Sequence, residues 1–219
     1  MRNVARGAER AGWGGVGRGG PIRSGSVSAT ADTPKSRLAA LVADLAVVHG
    51  RVTLASGREA DYYVDMRRAT LHHEAAPLIG HLLLDRLEEE GFGPQEIDAV
   101  GGLTMGADPV AAAMLHAAAS RGLELDAFVV RKSAKTHGMG RQVEGPDVAG
   151  KKVVALDDTS TTGGSVLQAV EALRAAGAEV VACAVVVDRD TGAREAVAQT
   201  GLPYLWILDT ADLGLPATR

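Results

Sequence analysis

The chain has 219 residues, of which 46% are hydrophobic and 23% charged, and its formal net charge is −4. This length and composition suit one α/β domain with a sizeable core and exclude wholesale disorder. An acidic balance and an aromatic content of 3% exclude a nucleic-acid coat, and a single cysteine, Cys183, excludes a disulfide framework. No apolar run is long enough to span a membrane. We therefore expect a cytoplasmic protein with neither a nucleic-acid nor a membrane partner.

Residues 1–32 differ from the rest of the chain in composition. They are rich in glycine and contain five arginines against two acidic residues, so they carry +3 and the remainder carries −7. A segment with so few large apolar side chains cannot offset the entropy lost on ordering, which predicts a disordered tail. A flexible tail and an upstream start codon chosen in error both explain this composition. The glycines argue against a transit peptide, because they spoil an amphipathic helix.

The predicted elements begin directly after this tail. Thr33-Pro34 is a helix-start signal, and apolar residues at helical spacing predict a helix that Gly50 ends. Two short extended pieces follow, around residues 52–54 and 62–66. From residue 73 onward, helical and extended patterns alternate. Helices are predicted at 73–90, 109–120, 165–176 and 193–199, and strands at 99–101, 125–131, 152–156, 179–188 and 204–208, with a long loop over 132–150.

This alternation decides the fold class. Short, continuous apolar strands that alternate with helices predict an α/β fold in which helices flank both faces of a parallel sheet. Ligands of such sheets bind beyond the carboxyl ends of the strands. The loops that follow the predicted strands are therefore the place to look for a functional site.

The loop after the predicted strand 152–156 carries the strongest functional signal. Two acids, Asp157 and Asp158, precede a turn rich in hydroxyls and glycines that leads into a helix: Thr159, Ser160, Thr161, Thr162, Gly163, Gly164 and Ser165. Backbone N–H groups at a helix start, together with hydroxyls, can surround a phosphate, and glycine permits close approach and positive φ. The acids can accept hydrogen bonds from the vicinal hydroxyls of a sugar or approach a magnesium ion. The segment therefore predicts a ribose 5-phosphate site, whereas a simple helix cap would explain only one acid and one hydroxyl.

This loop resembles the phosphoribosyl pyrophosphate (PRPP) loop of the type I phosphoribosyltransferases. Four further segments are similar to those of the orotate phosphoribosyltransferases and occur in the same order, namely Thr53–Asp65, Gly101–Pro109, Arg131–Gly138 and Val187–Arg189. The resemblance implies the type I phosphoribosyltransferase fold, with a small N-terminal hood (residues 33–70) on a core at residues 71–219. It also implies transfer of the ribosyl 5-phosphate group of PRPP to orotate, with Mg²⁺ held mainly by the substrate. The implied assembly is a homodimer with shared active sites.

The resemblance also implies roles for individual residues. Asp158 is expected to be catalytic through its contact with the sugar, and a mobile basic loop is expected to contact pyrophosphate: Arg131, Lys132, Lys135 and His137. Lys135 is the first choice for stabilising the transition state, and His137 acts either as a proton donor or as a simple hydrogen-bond donor. Arg189 and Thr161 are expected to contact orotate, since a planar guanidinium suits a carboxylate. The alternative for Arg189 is a surface ion pair with Asp188 or Asp190.

Two departures from the family pattern bear on charge. Many members carry lysines where this chain has Ala55 and Gly106. The absence of both weakens the fixed cationic field of the site, so the mobile loop is expected to supply more of the positive charge. Two other functions compete with orotate transfer, namely transfer to another base and non-catalytic sensing of PRPP. The Tyr62-Tyr63 signature and Arg189 argue against another base, whether the tyrosine rings contact the base or only pack the hood. The basic loop, and the absence of a basic face outside the tail, argue against a sensor.

Overall fold

The computed structural model describes residues 33–53, 59–133 and 141–216, so the tail predicted over residues 1–32 lies outside it. The helices are α1 (Pro34–Ala46), α2 (Arg67–Thr70), α3 (Ala75–Glu89), α4 (Ala107–Ser120), α5 (Gly164–Ala175) and α6 (Ala193–Ala198). The strands are β1 (Val47–Thr53), β2 (Glu59–Val64), β3 (Ala99–Leu103), β4 (Asp126–Val130), β5 (Val143–Glu144), β6 (Lys152–Ser160), β7 (Glu179–Asp188) and β8 (Tyr204–Asp209). None of the described helices is long and apolar enough to cross a bilayer.

The hood consists of α1, a two-stranded antiparallel sheet and α2. Helix α1 begins as predicted, because the Thr33 hydroxyl accepts a hydrogen bond from the backbone N–H of Ser36 in a capping box. The prediction that α1 runs to Gly50 is wrong. The helix ends at Ala46 because the next residues pair with β2, Val47 opposite Val64 and the following valine opposite Tyr63. Helix α2 was not predicted.

The core is a six-stranded sheet in the order β5-β4-β3-β6-β7-β8. Strands β3, β4, β6, β7 and β8 pair in parallel, which confirms the predicted α/β class. Strand β5 pairs antiparallel with β4, Val143 opposite Val130, so the prediction of an unbroken loop over 132–150 is wrong there. Strand β7 has the predicted bounds, and β6 extends four residues beyond its predicted end at Leu156.

Helices cover both faces of this sheet, and β6 shows how the sequence specifies them. Its side chains alternate between faces. Val154 and Leu156 pack in the same apolar cluster as α1, α3 and α4, whereas Val153 and Ala155 pack in the cluster that includes α5. All four side chains are fully buried. Each such aliphatic side chain stabilises the fold by about 1.5–3 kcal/mol when it leaves water.

Cys183 lies in the centre of β7 and is fully buried, as the sequence predicts. Burial raises the pKa of its thiol to about 12. A thiol that stays protonated is a poor nucleophile, so Cys183 acts as a small core residue.

Candidate active site

Four parallel strands end at one edge of the sheet and position the candidate site. Strands β3, β4, β6 and β7 end at Leu103, Val130, Ser160 and Asp188. A cavity of about 750 Å³ opens above the ends of β3 and β6, and the hood forms its other wall. Its lining combines the hood residues Tyr63, Val64, Asp65, Met66 and Arg67 with Leu103, Thr104, Met105, Gly106, Lys132, Asp157, Asp158, Thr159, Thr161 and Ser165.

A pair of adjacent carboxylates, Asp157 and Asp158, forms the floor of this cavity. Both belong to β6, and Asp157 is 7% exposed. The backbone N–H of Asp158 donates to Asp157 Oδ1 at 2.9 Å, and the N–H of Thr159 donates to Asp158 Oδ1 at 2.7 Å. Burial, followed by the neighbouring charge of Asp158, holds the pKa of Asp157 well above its usual range. Burial also raises the pKa of Asp158. Two oxygen-rich side chains in this setting can accept hydrogen bonds from a sugar diol.

The turn that follows the carboxylates presents the start of α5. Gly163 adopts φ +81°, a conformation that strongly favours glycine, and caps a twelve-residue helix. Within the part of the chain that the structure describes, no side chain caps this helix end. Its first N–H groups therefore remain available beside the hydroxyls of Thr161 and Ser165, both of which line the cavity. Free N–H groups and the positive end of a helix dipole favour an anion such as a phosphate.

Only part of the predicted basic loop falls within the described residues. Lys132 lines the cavity, and the Gln168 side chain donates to its backbone carbonyl at 3.1 Å. Arg131 does not line the cavity and forms an ion pair with Glu144 at 3.7 Å. Lys135 and His137 lie outside the described residues. Of the two predicted pyrophosphate ligands that the structure describes, Lys132 lies at the cavity and Arg131 does not.

Arg189 is a buried cation at the end of β7, 5% exposed. Its guanidinium lies 5.2 Å from the centre of the Tyr62 ring, and among the described residues its buried Nε has no hydrogen-bond partner. Among the described residues, Arg189 does not form the ion pair with the flanking acids that was its predicted alternative. Those acids, Asp188 and Asp190, instead accept hydrogen bonds from Arg194, at 2.6 and 2.5 Å. Arg189 therefore keeps donor capacity for a ligand.

The sequence did not identify Arg67, which carries a positive charge into the cavity from the hood. The signal available for it was position, because it follows by two residues the Asp65 that ends the Thr53–Asp65 signature. The described residues contain no cluster of three or more His, Cys, Asp or Glu side chains that could hold a metal ion. Asp157 and Asp158 offer carboxylate oxygens, which suit Mg²⁺, but as a pair they leave most of its coordination sphere to other ligands.

Comparisons with known proteins agree on one family. The family model for the phosphoribosyl transferase domain matches residues 69–202. The chain is 61% identical to the orotate phosphoribosyltransferase of Streptomyces avermitilis over 185 residues, which cover 84% of this chain and 99% of that protein.

Solved structures give the same result. The crystal structure of Mycobacterium tuberculosis orotate phosphoribosyltransferase with Fe(III) dicitrate superposes with a TM-score of 0.74 at 56% identity, covering 84% of this chain and all of that one. The structure of the M. tuberculosis enzyme in complex with PRPP gives 0.71 at 50% identity over the same shares. With a matching domain model, close relatives and a shared fold, the chain belongs to the orotate phosphoribosyltransferases, within the phosphoribosyltransferase family.

Proposed function

We propose that the chain transfers the phosphoribosyl group of PRPP to orotate in the cavity above β3 and β6, forming orotidine 5′-monophosphate and pyrophosphate. The family assignment supports the reaction, and one observation carries its location. A carboxylate pair that can accept from a diol, buried Asp157 and half-buried Asp158, is followed in the chain by a helix start that no described side chain caps and that can bind a phosphate. A ribose 5-phosphate has both groups.

The phosphate-binding segment is Thr161–Ser165, with the 5-phosphate at the N-terminus of α5. In the reaction the C1–O bond to pyrophosphate breaks and a C1–N bond to the base forms, so negative charge collects on the departing group. Cations placed beside that group stabilise the transition state. Lys132 lines the cavity, and Lys135 and His137 follow it within five residues. We assign pyrophosphate contact to these three residues, with Lys135 as the main stabiliser.

Arg189 is assigned to the orotate carboxylate. Its unpartnered Nε and the Tyr62 ring beside it suit a flat, anionic base. Thr161, on the same edge of the sheet, is the second predicted orotate contact. This placement favours orotate over an uncharged base. A buried arginine is costly unless an anion pairs with it, and the orotate carboxylate would be that anion.

Mg²⁺ is the proposed cofactor, and it would neutralise part of the pyrophosphate charge. The chain itself offers few ligands for Mg²⁺, since Asp157 and Asp158 are the carboxylates that face the cavity beside the predicted sugar position. We therefore propose that the ion enters with PRPP and is held mainly by substrate oxygens. A homodimer that shares its active sites, working in the cytoplasm, completes the proposal.

The test is orotate consumption by purified protein supplied with PRPP and Mg²⁺. Wild type is expected to turn over, and Lys135→Ala is expected to lower kcat by about a hundredfold or more while changing the KM for orotate little, since the lost charge acts in the transition state. Lys151→Ala, which removes a lysine paired with Asp98 on the surface, is the matched control and should retain wild-type kcat. An inactive wild type would contradict the function. A fully active Lys135→Ala would contradict only the role of Lys135.

A further inference from the structure

Arg67 brings a fixed positive charge from the hood into the cavity. Its side chain is 49% exposed, and its Nε donates to Asp65 Oδ1 at 2.8 Å. Among the residues that the structure describes, the two terminal amino groups of its guanidinium have no hydrogen-bond or ion-pair partner. Asp65 therefore restrains the side chain through Nε, and Arg67 lines the cavity.

The charge of Arg67 also reaches the carboxylate pair. The pKa of Arg67 is raised, first by its hydrogen bond to Asp65 and by the charge of that carboxylate, and to a smaller extent by the charge of Asp158. In return, Arg67 partly opposes the effect of burial on the pKa of Asp158. Both side chains line the same cavity. A sugar bound to Asp158 would place its anionic substituents within reach of Arg67.

The opposite wall cannot supply this charge. Gly106 stands in the loop between β3 and α4, and a Cβ atom there would lie 2.8 Å from Asp158 Oδ1 and 2.9 Å from Asp157 Oδ1. Any side chain at this position would displace the carboxylates. The loop therefore offers backbone groups and the side chains of Thr104 and Met105, none of which is charged.

The charges that line the cavity make each cation there important for binding an anionic ligand. Among its described lining residues, the cavity has two cations, Arg67 and Lys132, against three acids, Asp65, Asp157 and Asp158. A ligand with a phosphate and a pyrophosphate cannot enter such a cavity favourably unless cations face its negative groups. The 5-phosphate is assigned to the start of α5, so Lys132 and Arg67 are the cations among the described lining residues that are left for the pyrophosphate.

We infer that Arg67, restrained by Asp65, binds the pyrophosphate group of PRPP and adds a fixed counter-charge from the hood to that of Lys132, in a cavity where no side chain fits at position 106. The inference rests on the proposed placement of PRPP. Arg67 contacts substrate, so it is a binding residue, and Asp65 acts through it as a positioning residue. A planar guanidinium with two free amino groups can bridge two phosphate oxygens.

The test separates the two ends of the substrate by calorimetric titration of pyrophosphate with Mg²⁺ and, separately, of ribose 5-phosphate. Arg67→Gln is expected to weaken pyrophosphate binding by about tenfold or more and to leave ribose 5-phosphate binding within twofold. Arg67→Lys should recover part of the lost affinity for pyrophosphate, and Asp65→Asn should lower that affinity several-fold. Arg68→Gln, the exposed neighbour that does not line the cavity, is the matched control and should bind both ligands normally.

Two results would overturn the assignment. If Arg67→Gln binds pyrophosphate as wild type does, Arg67 is not its partner. If it loses both ligands equally, the residue supports the fold of the cavity rather than one ligand. Asp158→Asn tests the proposed placement of PRPP separately, because this substitution should weaken the binding of ribose 5-phosphate rather than that of pyrophosphate. If it does not, the proposed sugar site is wrong, whatever Arg67 does. Melting temperatures of all variants confirm that each is folded.

Discussion

The carboxylate pair, Asp157 and Asp158, is the clearest case of a residue environment that is unfavourable for stability, and its proposed role in binding the sugar would account for it. Asp157 is buried with Asp158 beside it, and both pKa values are raised because burial removes water from the ionised forms; the charge of Asp158 raises the pKa of Asp157 further. In the free protein this is unfavourable. A bound diol would donate hydrogen bonds to these oxygens and replace the missing water, which explains why a fold would keep the pair.

This environment predicts a pH-dependent stability. A carboxyl whose pKa is raised in the folded state favours the protonated form, so its contribution to stability is greatest below the ordinary carboxyl pKa and is lost as pH rises through the raised value. Asp157→Asn removes this titration. We expect the variant to be more stable than wild type by about 1–3 kcal/mol at pH 8, with the difference shrinking at pH 5.5.

Urea unfolding of both proteins at the two pH values measures this difference. Asp126→Asn, which removes an exposed carboxylate at the start of β4, controls for the change in net charge. A wild type that is as stable as Asp157→Asn at pH 8 would show that Asp157 is not strained by its burial.

At the residue scale the sequence could identify side chains whose role follows from the loop that carries them. Asp157, Asp158 and Thr161 were found in this way, and the structure places all three on the cavity. Arg67 was missed, because its position just after the Thr53–Asp65 signature was the one local signal for it and its place at the cavity depends on a hood folded against the sheet. For the same reason the sequence could not show that Arg131 pairs with Glu144 rather than facing the cavity.

At the level of elements, the phosphate-binding role depends on how α5 begins. Gly163 has φ +81° at its N-terminal end and Gly177 has φ +83° just beyond its C-terminal end. Added Cβ atoms would meet only ordinary contacts, at 3.4 Å or more, so an alanine at either position is disfavoured mainly by backbone strain. The two glycines are thus a matched pair at opposite ends of one helix.

Alanine at each position separates stability from binding. Both Gly163→Ala and Gly177→Ala are expected to lower the free energy of unfolding by about 1–2 kcal/mol, as a positive φ costs a residue with a Cβ atom. Only Gly163→Ala should also weaken ribose 5-phosphate binding, by several-fold, because it shifts the N–H groups that face the phosphate. Thermal unfolding and calorimetric titration measure the two effects. Equal binding losses in both variants would contradict a phosphate site at this helix end.

The elements that the sequence predicted well are those with a strong local pattern. Strand β7 is a continuous apolar run and was placed correctly, and the Thr33-Pro34 signal gave the start of α1. The errors occur where pairing decides the structure. Val47–Thr53 forms a strand because β2 lies beside it, and Val143–Glu144 forms one because β4 offers an edge. Neither partner is visible from a local window of sequence.

For the molecule as a whole, net charge is a poor guide to the ligand. The part of the chain after residue 32 carries −7, yet the proposed substrate is a polyanion. The cations that reconcile these facts are few and local: Arg67, Lys132, Arg189 and the start of α5, together with the proposed loop residues Lys135 and His137. If that loop crosses to a neighbouring subunit, each active site needs two chains.

Shared sites can be tested by mixing two inactive variants. Lys135→Ala damages the loop and Asp158→Asn damages the cavity, so a mixed dimer would contain one site with both defects and one intact site. We expect a mixture refolded together to recover about a quarter of wild-type activity, because half the dimers are mixed and each has one working site. Each variant refolded alone is the control. No recovery would contradict a loop that acts across the dimer.

The most direct test of the central claim, that PRPP binds with its ribose on the carboxylate pair of β6, is steady-state turnover by Asp158→Asn. Asparagine keeps the size of the side chain but removes a charged acceptor for the sugar hydroxyls. We expect kcat/KM for PRPP to fall by about tenfold or more, with the KM for orotate within about twofold of wild type. An unchanged kcat/KM for PRPP would place the substrate elsewhere and contradict the account.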